Sequence, residues 1–147
     1  PLVSRFNVSH TFGSLHPVAG AKEAVAALYA AGHNLHVVSA CSDDPIVIRR
    51  REQNLDRVFG DVFTSITCVP LGSSKADALK SLPRGIWVED NVEHAIVGHL
   101  SNNKTFIMRR GHNAQREIPT RNAWPNITWI DDFKPILNAT FGQLGVA

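Results

Sequence analysis

Apolar and polar residues along this chain alternate between a strand-like and a helix-like spacing. Short apolar runs rich in β-branched residues favour buried strands. Such runs occupy 35–38, 62–69, 86–88, 105–108 and 127–130. The mixed apolar segment Leu2–Val8 predicts one further strand near the start of the chain. Strands therefore recur along the whole chain, with room for a helix or a loop between them.

Segments with apolar residues at helical spacing lie between these strands, and several carry start and stop signals. The second of them has a cap, Asp43 or Asp44, followed by Pro45 in its first turn, and it stops at Gly60. The predicted helices are 19–31, from Asp43 or Asp44 to Phe59, from Ser73 or Ser74 to Leu82, 92–100, and one that begins at Asp131 or Asp132. A turn-like stretch at 12–17 and a loop at 110–125 complete the prediction.

Strands that alternate with helices of about 10–15 residues predict right-handed βαβ units and a mainly parallel sheet. We expect a three-layer α/β sandwich with a Rossmann-like sheet of about five strands and a small C-terminal addition. The chain has 147 residues, the usual size of one domain, so residues 1–147 are expected to form a single domain. The intervals between the predicted elements are too short to hold a cap domain.

Composition and charge exclude some classes of protein. The formal net charge is +2, an excess too small to indicate a nucleic-acid partner by itself. The two cysteines, Cys41 and Cys68, are too few for a disulfide framework and fit a reducing compartment. No apolar run approaches the ~18 residues of a membrane span. We therefore expect a cytoplasmic location and no membrane association.

Functional side chains in a parallel α/β sheet gather at the carboxyl ends of its strands. Ser39 follows an apolar strand, and its hydroxyl suits phosphate oxygens. Lys75 lies at a helix start, where the helix dipole disfavours a cation unless an anion is close by. The pair Glu89–Asp90 follows the strand 86–88, and carboxylates at a strand end suit Mg²⁺ that shares phosphate oxygens. Together these ends predict a site for phosphate chemistry.

Each of these residues also has a purely structural interpretation. Ser39 would then be a loop hydroxyl, Lys75 a solvated lysine, and Glu89–Asp90 the cap of the next helix. For the whole set, Lys75 and the carboxylates would form an ion pair that fills a former pocket without binding a ligand. Both interpretations of the site stay open at this point.

Several short motifs resemble those of haloacid-dehalogenase-like phosphohydrolases of the capless kind. The segment Val37–Ala40 resembles the family's second motif, Ser74–Leu79 the third, and Ile86–Asn91 the fourth. The segment Pro17–Ala21 resembles the entry to the family's first helix, and the tail from Phe106 onward is similar to small 5'-nucleotidase-like members. The resemblance covers nearly the whole chain. It implies phosphate binding by Thr11, Ser39 and Lys75 and metal binding by Glu89 and Asp90.

The first motif departs from the family's pattern, which is Asp-x-Asp-Gly-Thr. The matching segment is Asn7-Val8-Ser9-His10-Thr11, which places Asn7 at the nucleophile position and Ser9 at the acid/base position. A carboxamide is a poor nucleophile, and a hydroxyl with a high pKa neither protonates a leaving group nor activates water well. We therefore expect any Mg²⁺ binding to be weak and ordinary phosphatase turnover to be very low or lost.

Three functions follow from these observations. The first is a catalytically silent binding, structural or regulatory module with a phosphate-containing ligand or a protein partner. The alternative is a weak or atypical Mg²⁺-dependent phosphomonoesterase for a nucleotide-like or macromolecular phosphate, using His10 or Ser9, with Arg109 and Arg110 touching the substrate. The third is a nucleic-acid binder through Arg49–Arg51 together with Arg109 and Arg110, although the three successive helical arginines point about 100° apart and do not form one tight cluster. A capless site stays open to water unless a homo-oligomer covers it.

Overall fold

The computed structural model describes residues 2–116, 124 and 126–141. The chain divides into two compact units, 1–73 and 74–147, and each unit contains its own sheet. All strand pairs in both sheets are parallel, so the predicted α/β class is confirmed. No helix of the described ranges is long and apolar enough to cross a membrane.

The first unit combines a two-stranded parallel sheet with short and long helices. Its elements are α1 (Leu2–Asn7), a 3₁₀ helix (His10–Ser14), α2 (Ala21–Ala30), β1 (His36–Ala40), α3 (Pro45–Phe59) and β2 (Ser65–Val69). In the register of β1 and β2, Ser39 lies opposite Cys68. A small core of Phe12, Cys41 and Val47 packs at the ends of these elements.

Helix α3 begins and ends where its sequence signals predict. The side chain of Asp44 accepts a hydrogen bond from the backbone N–H of Ile46 at 2.8 Å, and Pro45 occupies the first helical turn. Gly60 ends the helix with a φ of 79°, a left-handed value that glycine adopts without strain.

The second unit is a three-stranded parallel sheet in the order β3-β4-β5. Its elements are α4 (Ala76–Lys80), β3 (Ile86–Glu89), α5 (Val92–Leu100), β4 (Lys104–Met108), β5 (Ile127–Ile130) and α6 (Lys134–Phe141). Ile107 packs with Val92 and Ala95 of α5, whereas Phe106 and Met108 pack with Ile136 of α6. Because neighbouring residues of a strand face opposite sides, α5 and α6 cover opposite faces of this sheet.

The predicted single sheet of about five strands is wrong in one respect, since the five parallel strands form two sheets of two and three strands. The further strand predicted near the start of the chain, Leu2–Val8, is also wrong, because most of this segment is the helix α1. Val3 and Phe6 stand three residues apart, a helical spacing, and the N–H and hydroxyl of Ser9 both bond to the Phe6 carbonyl at the helix end. A six-residue apolar pattern fits both periods, and local hydrogen bonding favours the helix here.

Smaller differences concern the connections. The turn-like stretch predicted at 12–17 begins inside the 3₁₀ helix, and the last helix begins at Lys134, whose N–H bonds to the side chain of Asp132. The predicted loop 110–125 contains turns over 111–115. Its positions 117–123 and 125 lie outside the described residues.

Candidate functional site

Lys75 and Glu89 form a buried ion pair in the second unit. Lys75 immediately precedes α4, Glu89 is the last residue of β3, and each is only 7% exposed. The Lys75 ammonium donates to Oε1 of Glu89 and lies 5.4 Å from the centroid of the Trp87 ring. The other carboxylate oxygen, Oε2, accepts the backbone N–H groups of Asp90 at 3.1 Å and Asn91 at 3.4 Å. Both oxygens of Glu89 are therefore engaged by the protein itself.

Asp90 differs from Glu89 because its side chain reaches solvent. Its carboxylate is 55% exposed and lies 3.6 Å from Nε2 of His112. Among the described residues, no three His, Cys, Asp or Glu side chains come together as a metal-binding group. With Glu89 committed to Lys75, this arrangement offers Mg²⁺ one available carboxylate, which fits a resident metal poorly.

Asn113 holds the end of β4 to the end of β3 and was not singled out by sequence reasoning. It is 1% exposed, and its side-chain amide donates to the carbonyls of Asp90 at 2.7 Å and Met108 at 2.9 Å. Its carbonyl oxygen accepts the backbone N–H of Arg110 at 2.6 Å. The bonds to Arg110 and Met108 are local and fit the turn that an asparagine in a predicted loop indicates, whereas the bond to Asp90 spans 23 residues and leaves no pattern in the sequence.

Arg109 and Arg110, the predicted substrate contacts, have different surroundings. Nε of Arg109 bonds to Oδ1 of Asp131 at 3.0 Å, and its guanidinium lies 5.0 Å from the centroid of the Trp129 ring. Arg110 makes no ion pair, and its Nη2 is buried without a hydrogen-bond partner in the part of the chain that the structure describes. Arg110 is thus the less committed of the two cations.

Asn7 takes a structural position in the first unit. The residue is 6% exposed, and its amide donates to the carbonyl of Cys41, just beyond β1, at 2.8 Å. The hydroxyl of Ser9 donates to the Phe6 carbonyl at 2.6 Å. Asn7 was predicted to end a strand of its own, but it is the last residue of helix α1 and lies beside the end of β1.

The remaining predicted residues of the first unit are not held by side-chain hydrogen bonds. His10 and Thr11 are exposed on the 3₁₀ helix, and Ser39 is half-buried in β1. Nothing within this described unit engages their side chains. The phosphate-binding roles of Thr11 and Ser39 therefore stay predictions.

The three consecutive arginines of α3 point in different directions, as the helical period predicts. Arg49 is exposed, Arg50 donates to the Val8 carbonyl at 2.6 Å, and Arg51 turns inward and donates to Oδ1 of Asn54 at 3.1 Å. Burial lowers the pKa of the Arg51 guanidinium. Arg51 therefore does not join Arg49 and Arg50 in one basic patch of three arginines of the kind that a nucleic-acid backbone would favour.

Two further groups have shifted pKa values. Burial raises the pKa of the Cys68 thiol to about 12, and the neighbouring Cys41 adds to the shift. Burial lowers the pKa of His94 in α5, with a further contribution from the positive charge of Lys75. The carboxylates of Glu89, Glu93 and Asp90 act in the opposite direction, but the net effect still lowers the pKa of His94. Cys68 is thus a protonated, unreactive thiol at neutral pH.

No protein-family model matches the chain, and no curated protein matches it either. The resemblance to haloacid-dehalogenase-like proteins therefore rests on the sequence motifs and stays a prediction. The structure brings Lys75 together with Glu89 and places Asn7 at the end of β1.

Proposed function

We propose that this chain is a haloacid-dehalogenase-like protein of the three-layer, capless type that is catalytically silent and serves as a binding, structural or regulatory module. The observation that carries the proposal is the buried ion pair of Lys75 and Glu89. In phosphate chemistry a lysine at this position acts by presenting its charge to phosphate oxygens. Here that charge is already neutralised by a carboxylate.

Desolvation makes this neutralisation persistent. Separating two buried charges leaves each of them without water or a counter-ion, at a cost of several kcal/mol. A phosphate ligand or a Mg²⁺ ion would have to meet that cost before binding Lys75 or Glu89. The pair therefore favours a structural role for the third and fourth motifs over a catalytic one.

The environment of Asn7 supports the same conclusion. A carboxylate at this position would have no N–H to donate and would face the carbonyl oxygen of Cys41. The site is therefore suited to the amide that the sequence carries. Ser9 is likewise engaged, because its hydroxyl donates to the Phe6 carbonyl, whereas a serine nucleophile needs its hydroxyl to donate to a base.

A hydrolysis assay tests the proposal. The parent and the double variant Lys75→Met/Glu89→Met are compared with p-nitrophenyl phosphate at saturating Mg²⁺. We expect neither protein to exceed the uncatalysed rate. If the parent shows Mg²⁺-dependent hydrolysis that disappears in the double variant, the proposal that the protein is catalytically silent is wrong. The variant is a fair control because replacing both charges by apolar side chains of similar length avoids an isolated buried charge.

One observation favours the alternative of a weak Mg²⁺-dependent phosphomonoesterase. The Asp90 carboxylate is exposed and has His112 beside it, so it is free to hold a hydrated metal ion. In that case Asp90→Asn abolishes hydrolysis, whereas Asp77→Asn, at another exposed carboxylate of the same unit, leaves it unchanged. Equal rates for the parent and Asp90→Asn would remove this alternative.

A further inference from the structure

An open groove of about 410 Å³ lies along the first turns of α3. It is lined by Pro45, Ile46, Arg49, Arg50 and Gln53. These positions recur every three to four residues and therefore share one face of the helix. The volume falls within the roughly 300–1,000 Å³ of small-molecule sites.

The groove is positively charged. Its lining contains two arginines and no acidic side chain, and neither Arg49 nor Arg50 forms a salt bridge in the described part of the chain. Arg50 is oriented by its bond to the Val8 carbonyl, which uses one guanidinium nitrogen, Nη1. One oxygen of the Asp44 carboxylate, just before the groove, accepts the N–H of Ile46 at 2.8 Å. The unpaired cations therefore favour an anionic ligand.

The same groove exposes apolar surface. Ile46, which lines the groove, is 64% exposed. Pro45 adds a rigid apolar ring, and Gln53 adds one amide that can donate or accept. A ligand that satisfies the whole lining combines an anionic group with an apolar body.

We propose that this groove binds a phosphate monoester whose organic part is apolar. The phosphate would lie between Arg49 and Arg50, because guanidinium groups match phosphate oxygens with paired hydrogen bonds. The organic part would lie over Pro45 and Ile46. The site belongs to the first unit and is separate from the Lys75–Glu89 pair, so it does not depend on the proposed function.

Titrations with phenyl phosphate, followed by the backbone amide signals in NMR, test this inference. Three matched ligands each lack one feature of phenyl phosphate: inorganic phosphate lacks the ring, phenol lacks the phosphate, and benzoate carries a planar carboxylate in place of the phosphoryl group. We expect phenyl phosphate to shift the amides of residues 46–53 and to bind at least about tenfold more tightly than phosphate or phenol, because ring burial and charge pairing act together. Shifts confined to other residues, or equal affinity for all four ligands, would overturn the proposal.

Variants of α3 sharpen the test. Arg49→Gln is expected to weaken phenyl phosphate binding about tenfold or more, and Ile46→Ser to reduce its advantage over inorganic phosphate. Arg57→Gln, at an exposed arginine of the same helix outside the groove, is the matched control and is expected to bind as the parent does. An equal loss in Arg49→Gln and Arg57→Gln would indicate general charge attraction and contradict a defined site.

The double variant Lys75→Met/Glu89→Met separates this inference from the proposed function. Groove binding is expected to persist in that variant, whatever its hydrolysis assay shows. If phenyl phosphate binding disappears there while Arg49→Gln binds normally, the phosphate site lies with Lys75 and the groove proposal is wrong.

Discussion

The ends of β1 and β3 each have a polar side chain buried against them, but they differ in charge. At β1 the neutral amide of Asn7 donates one hydrogen bond to the Cys41 carbonyl. At β3 the ammonium of Lys75 meets the carboxylate of Glu89. A buried amide needs only its hydrogen-bond partners, whereas a buried charge needs an opposite charge as well. The first unit therefore depends on a directional bond, and the second on paired charges.

This difference determines how each end responds to change. A neutral hydrogen bond contributes about 1 kcal/mol net, and its loss affects stability gradually. A buried ion pair contributes little net stability compared with two apolar residues, but removing either partner is very costly. The β3 end should therefore tolerate a change of both residues better than a change of one.

The largest expected effect tests that asymmetry. Lys75→Met leaves the Glu89 carboxylate buried without its cation, and we expect the free energy of unfolding to fall by about 3–5 kcal/mol. The double variant Lys75→Met/Glu89→Met should recover most of this loss. Urea denaturation of the parent, both single variants and the double variant gives the coupling energy directly. Additive losses would show that the two charges do not act as a pair.

The neutral end provides the next largest effect. Asn7→Asp removes the donor and places a carboxylate against a carbonyl oxygen, so we expect a loss of about 2–3 kcal/mol at pH 7. The loss should shrink at about pH 3, where a protonated acid again has a hydrogen to donate. The exposed Asn34→Asp is the matched control and should change stability little. A tolerated Asn7→Asp that also gains Mg²⁺-dependent hydrolysis would instead identify a silenced nucleophile position.

The sequence predicts features that depend on local signals better than features that depend on contacts between distant residues. The bounds of α5 and β5 agree with the prediction, and so do the caps of α3, because caps and apolar periodicity are local signals. The segment Leu2–Val8 was too short for its period to be decisive. The sequence predicts an ion pair between Lys75 and the carboxylates at 89–90 as one of two alternatives, but it does not indicate which carboxylate Lys75 contacts. The sequence does not predict that Asn113 anchors Asp90, because this bond joins residues 23 positions apart.

Packing around Trp87, whose ring lies under the Lys75 ammonium, tests how rigid the charged β3 end is compared with the neutral β1 end. Gly98 of α5 faces this indole, and a Cβ atom there would overlap Cδ1 and approach Cγ and Nε1 to 2.8 Å. We expect Gly98→Ala to lower the free energy of unfolding by about 1–2 kcal/mol, although alanine favours a helix by about 1 kcal/mol. Gly85→Ala, where a Cβ would meet no atom within 4 Å, is the control. A stabilised Gly98→Ala would show that the Trp87 ring, which lies against the Lys75 ammonium, can move aside without loss of stability.

The smallest effect concerns pH, and it arises at the charged end. Burial and the nearby Lys75 lower the pKa of His94 below its ordinary value of 6.5. The unfolded chain therefore takes up this proton at a higher pH than the folded chain, so the contribution of His94 to stability is full above about pH 6.5. It declines as pH falls towards the lowered pKa of the folded state. His94→Gln removes this dependence of stability on pH. We expect the free energy of unfolding of the parent, measured by urea denaturation, to fall relative to that of the variant as the pH is lowered from about 8 to about 5. A constant difference would mean that His94 titrates alike in both states and that the charged end does not sense pH through it.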